Sequence, residues 1–138
     1  MAVTVTHARQ RVFPGVPVQV RAARAWVLTC LPARCPRADD VALVVSELVT
    51  NAIVHSRSGL AGGTVAVRVE AEAVSVAVSV IDQGARPVPA RREPGESGWG
   101  LADIVSSLVD AYEVTTGPAG RTAWCRLDWT STGAEASR

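Results

Sequence analysis

The sequence predicts an α+β fold: a two-layer α/β sandwich whose mixed, mostly antiparallel sheet carries its helices on one face. Three observations lead there. The segment DVALVVSELVTNAIVH (residues 40–55) has helical periodicity, with Val41, Val45, Leu48 and Ala52 on one apolar stripe. Two later segments, Thr64–Glu70 and Val74–Asp82, alternate with period two and are rich in β-branched residues. The order is helices, a hairpin, a helix and another hairpin, which favours antiparallel pairing. The 138 residues suit one domain that buries roughly two-thirds of its unfolded surface. That domain is expected over residues 1–130, followed by a disordered tail over 131–138.

Taken in order, Val3–Thr6 alternate and predict a short edge strand. Pro14 and Pro17 mark a loop, and Pro17 suits the first turn of a helix reaching about Leu31. On that helix Val20, Ala23, Val27 and Leu31 form the buried stripe, with Arg21 and Arg24 turned outward. Pro32 and Pro36 interrupt the chain before the second helix, which starts near Ala38 with Asp39 and Asp40 at its positive end. Ser56–Gly63 reads as a Ser- and Gly-rich loop. The two alternating segments then form a hairpin. Gln83–Gly98 holds three prolines and three arginines and predicts a long irregular stretch, a kind of segment often tied to function. A third helix is expected over Trp99–Val109. Strands at Tyr112–Thr116 and Arg121–Trp129 follow, joined by the turn Gly117-Pro118-Ala119-Gly120.

The bulk composition narrows the function. A hydrophobic fraction of 48% with 20% charged residues describes a folded globular chain. A formal charge of +1 gives no general attraction to nucleic acid or anionic membrane. No apolar run reaches membrane-spanning length and the N-terminus lacks a signal-peptide core, so a cytoplasmic protein is expected. Cys30, Cys35 and Cys125 are odd in number and lack CxxC spacing, as reduced structural thiols would be. The missing ligand spacing also disfavours a zinc site.

Three places carry candidate chemistry. On the second helix, Glu47, Asn51 and His55 recur every four residues and stack along one edge. The carboxylate can take a proton, the amide oxygen can ligate a hard cation, and the imidazole can meet anionic oxygens. The same pattern also fits a solvated helix edge. Asp82 continues the parity of Val74, Val76, Val78 and Val80, so its carboxylate is expected to point into the helix layer. There it needs a partner, and Gly84 allows the backbone to come close to a flat ring. An Asp that merely opens a turn would look alike in sequence. Finally, Gly98-Trp99-Gly100-Leu101 precedes the third helix, where free N–H groups can cradle phosphate. A GxG by itself is common, and with no lysine in the chain a Walker-type P-loop is excluded.

In this order the pieces resemble the Bergerat-fold (GHKL) ATPases, and among them the small anti-sigma-factor serine/threonine kinases, over roughly Pro14–Trp129. Glu47–His55 looks like the N box, Ile81-Asp82-Gln83-Gly84 the first glycine box, and Gly98-Trp99-Gly100-Leu101 the second. Gly120–Trp124 is similar to the late strand whose Thr, here Thr122, helps hold the adenine side. The resemblance implies that Asn51 ligates Mg²⁺ at the phosphates of ATP, that Asp82 accepts a hydrogen bond from the adenine amine, and that Gly98 and Gly100 line the phosphates. It makes Glu47 the general base and leaves His55 to touch phosphate or cap its helix. It further implies phosphorylation of a serine on an anti-anti-sigma antagonist, sequestration of a sigma factor, and a homodimer. One departure stands out: the second glycine of the usual DxGxG pattern is Arg86. Arg86, Arg91 and Arg92 are candidates for phosphate contacts, or for plain solvated charges. An ATP-gated binding module without turnover is the alternative function. The catalytic domain of a two-component histidine kinase is a third, and it would need a helical phosphoacceptor segment that neither His7 nor His55 supplies.

Overall fold

The computed structural model describes residues 7–87 and 105–130. Strand β1 (His7–Pro14) leads to helix α1 (Gln19–Thr29), helix α2 (Ala38–His55) and a single 3₁₀ turn over Arg57–Gly59. Strands β2 (Thr64–Ala71), β3 (Ser75–Asp82), β4 (Ala111–Gly117) and β5 (Gly120–Asp128) follow. The sheet order is β1-β2-β3-β5-β4, and every described pairing is antiparallel. The chain therefore crosses β5's place after β3, forms edge strand β4, and folds back to pair β5 with β3. Residues 105–108 are helical and precede β4, with Val105 buried and its carbonyl accepting from the Val109 N–H.

Alternation on β2, β3 and β5 builds one buried face. Val65, Val67, Val69, Val76, Val78, Val80, Ala123, Cys125 and Leu127 all point into the helix layer. From α2, Val41, Val44, Val45, Leu48, Val49, Ala52 and Ile53 meet them. That stripe is wider than four residues because α2 is covered on both flanks, by the sheet and by α1. Burial pushes the Cys125 thiol up to about 12. At the other margin Phe13 packs edge-on against Trp26, ring centroids 5.9 Å apart.

Several expectations need correction. The strand expected at Val3–Thr6 lies outside the described residues, and the observed first strand is His7–Pro14, paired with β2 along its whole length. Only Phe13 of β1 is buried, so the segment HARQRVFP carries no apolar alternation to reveal it. Its exposed arginines suit a sheet edge. Val74 is 41% exposed and precedes β3, which starts at Ser75. Arg24 is half-buried rather than outward, donating to Ser46 Oγ at 3.0 Å and so tying α1 to α2. The 99–104 part of the third helix and the tail over 131–138 are outside the described residues. Among those described, no helix is long and apolar enough to cross a membrane.

Candidate functional site

Asp82 and Gly84 lie at one end of the sheet, and the chain there is tied to the C-terminal end of α2. On α2, Glu47, Asn51 and His55 are half-buried, while Leu48, Val49, Ala52 and Ile53 between them are buried. Four-residue spacing keeps the three on one flank, at the margin between core and solvent. His55 is the last residue of the helix. Asp39 and Asp40 occupy the first turn, complementing the positive end.

Asp82 ends β3 on the helix-facing side and is 5% exposed. Its parity with Val76, Val78 and Val80 puts it there. Its Oδ1 accepts the Gly84 N–H at 2.8 Å, which bends the backbone in a short Asx turn. Gly84 itself has φ +92°, a conformation that glycine adopts without strain. Gly120, at the start of β5, lies directly against this strand end. A Cβ there would sit 2.0 Å from the Asp82 carbonyl oxygen.

The segment after Asp82 is tied to the end of α2. Gln83 N–H donates to Ser58 Oγ at 3.0 Å, and Gln83 Oε1 accepts from Thr64 N–H at 2.8 Å. Arg57 N–H donates to the Gly84 carbonyl at 2.8 Å, and Arg57 Nε to the Ala85 carbonyl at 3.0 Å. Arg86 Nε donates to the Ser56 carbonyl and its Nη2 to the Ile53 carbonyl, both at 3.1 Å. Ser56 and Ser58 are buried, and Ser56 Oγ accepts from Ser58 N–H while donating to the Ala52 carbonyl. The free carbonyls that every helix end leaves over are thus met by a serine and an arginine.

Asp82 and Gly84 lie at this end of the sheet and His55 at the adjoining end of α2, with Asn51 and Glu47 further back along the same helix. Thr122 is not on the Asp82 face. It pairs with Ile81 on β3 and Thr115 on β4, and directly opposed residues point to the same side of a sheet. Its side chain therefore faces away from the helices, whereas Ala123 and Val80 face them. Gly98, Trp99, Gly100, Leu101, Arg91 and Arg92 lie outside the described residues. Ser58 and Arg57, which tie the segment after Asp82, were not singled out from sequence. A Ser-x-Ser pair after a helix was visible, but its partners arrive only through folding. At the opposite end of the sheet, a cavity of about 470 Å³ lined by His7, Arg9, Cys30 and Glu72 contains none of the site residues.

Magnesium suits this donor set. It keeps several waters and substrate oxygens and needs only one or two protein oxygens, which a lone amide oxygen on α2 can supply. Among the described residues no three His, Cys, Asp or Glu cluster as a tighter metal cage would require.

Comparison with known proteins bears on the family and the fold. A family model for the histidine kinase-like ATPase domain matches residues 13–127. Among solved structures, the RsbU and RsbW domains of Rv1364c from Mycobacterium tuberculosis superpose over 89% of this chain, with a TM-score of 0.62 and 24% identity. At that identity the likeness is one of fold. The match takes up 32% of that longer chain, so this chain spans about a third of its length. No curated protein matches.

Proposed function

The chain belongs to the histidine kinase-like ATPase domain family, and from that premise we infer that it is an ATP-dependent serine/threonine protein kinase of the anti-sigma-factor type. The observation that carries this reading is Asp82: a carboxylate 5% exposed at a strand end, turned toward the helix layer beside a glycine with positive φ. Such a group is a ready acceptor for the exocyclic amine of adenine. Burial makes an unmatched partner costly, and that cost is what separates adenine from a base lacking the amine.

At the phosphate end, Asn51 would hold Mg²⁺ through its amide oxygen, and the ion would neutralise charge on the phosphates. Glu47 lies one turn earlier on the same flank. It would take the proton of an attacking serine hydroxyl as that oxygen bonds to the γ-phosphorus and ADP departs with the electron pair of the broken bond. His55 and the segment Gly98-Trp99-Gly100-Leu101 complete the proposed nucleotide contacts. The substrate class is a serine on a small antagonist protein, of the anti-anti-sigma kind. That choice of partner rests on the resemblance of the motifs to the anti-sigma-factor kinases; the M. tuberculosis structure shares the fold. Binding of a sigma factor and a homodimeric state belong to the same proposal.

Incubation with Mg-ATP and candidate antagonist proteins tests it. The wild type should yield phosphoserine on the antagonist, and Glu47→Ala should lose transfer by about 10²-fold or more while binding ADP as the wild type does. Undiminished transfer by Glu47→Ala removes that residue from the mechanism. ATP-responsive partner binding with no transfer by the wild type would favour a nucleotide-gated module instead.

A further inference from the structure

Arg86 stands where the familiar motif has glycine, and two of its donors are engaged at the end of α2. Its Nε and Nη2 donate to two different carbonyls, Ser56 and Ile53, both at 3.1 Å. A planar guanidinium offers that fork, and a lysine ammonium does not. The position also suits its charge, since the carbonyl end of a helix carries the negative pole. Room for it comes from Gly59. A Cβ at Gly59 would lie 1.9 Å from the Ile53 carbonyl oxygen and 3.0 Å from Arg86 Nη2, so a side chain there would compete for the very carbonyl that Arg86 uses. Arg57 ties the same segment from the other direction, through the Gly84 and Ala85 carbonyls, and Ser56 and Ala85 form a β-bridge.

We propose that Arg86 is a positioning residue of the nucleotide site: it straps the Asp82–Arg86 segment to the last turn of α2 and so holds in place the strand end that meets the base. This rests on the nucleotide reading above. A glycine at position 86 has no side chain with which to make the strap. In this chain the Arg86 side chain adds to the ties that Arg57 and Ser58 make to the same segment. Two donors of Arg86 are committed to carbonyls at the end of α2, which holds its guanidinium there.

Calorimetric titration of the full chain with adenosine and with Mg-ADP tests the strap, using wild type, Arg86→Ala and Arg86→Lys. Adenosine reports the base end alone, and Mg-ADP reports both ends. Loss of the strap should weaken both ligands by the same factor, about tenfold, the scale of losing one outer support of a binding group. Arg86→Lys should recover only part of that loss. If Arg86 met phosphate, Arg86→Ala would weaken Mg-ADP and leave adenosine unchanged, which overturns the proposal. A lower melting temperature with both affinities intact would make Arg86 a stabilising residue only, and overturns it too. A folded wild type that binds neither ligand removes the nucleotide reading and the strap together. A wild type that binds both, with Arg86→Ala its equal, removes the strap alone.

Discussion

Gly120→Ala should injure stability and site together, and the structure sets the size of the effect. The added methyl carbon would fall 2.0 Å from the Asp82 carbonyl oxygen and 3.1 Å from its carbonyl carbon. Even weak C–H···O contacts keep carbon and oxygen about 3.3 Å apart. Strands β3 and β5 would therefore have to part by more than an ångström beside the Asp82–Arg121 pair. Backbone, not a flexible side-chain tip, is what must move. Overpacking of this kind costs typically 1–3 kcal/mol, and a rigid ladder puts this case near the top, about 3 kcal/mol. For a chain of this size that is a fall in melting temperature of roughly 10 °C. Gly117, across the same turn, is the control: a Cβ there meets nothing within 4 Å, so Gly117→Ala should leave stability within about 0.5 kcal/mol. Thermal unfolding followed by circular dichroism reads both. ADP affinity of folded Gly120→Ala should fall as well, because the displaced carbonyl belongs to Asp82 itself. A Gly120→Ala protein that melts with the Gly117→Ala control would refute the close approach of β5 to the site.

Two further predictions concern ionisable groups. The Asp128 N–H and the Arg37 guanidinium hold the Asp110 carboxyl below its usual range. Because the folded pKa is depressed, its stabilisation is present above the unfolded value near 3.9 and is lost as pH falls through the lower folded value. The pair is solvent-exposed, so Asp110→Asn should cost about 1 kcal/mol or less at pH 7, and urea melts of variant and wild type should converge in strong acid. The Cys125 thiol, pushed up to about 12 by burial, should resist alkylation at pH 8 until the chain unfolds, whereas half-buried Cys35 reacts in the native state. Mass mapping of labelled peptides reads the order, and early labelling of Cys125 would contradict its burial.

What sequence could disclose here followed from periodicity and chain order. Alternation placed β2, β3 and β5, and the same parity turned Asp82 inward before any contact was known. The helical stripe through Val41 and Val45 set the flank on which Glu47, Asn51 and His55 lie. Edge strand β1 stayed hidden because an edge strand contacts the core at few points, and only Phe13 does so. Thr122 illustrates register: its motif match says nothing of which side of β5 it faces, and pairing with Ile81 turns it away from Asp82. The strap is the least legible feature. Arg86 is one arginine among several in a Pro-rich stretch, and its meaning depends on two carbonyls some thirty residues earlier. Contacts of that range are products of folding, not of local pattern.

The most direct measurement is a calorimetric titration of ADP with Mg²⁺ into wild type and Asp82→Asn. An asparagine at position 82 that keeps its oxygen on the Gly84 N–H turns its NH2 toward an adenine amine, so two donors face each other in a buried place. Saturable binding by the wild type, weakened about 10²-fold or more in a folded Asp82→Asn, is the predicted result. A folded wild type that takes up no ADP, or an Asp82→Asn protein that binds it equally well, would contradict the account.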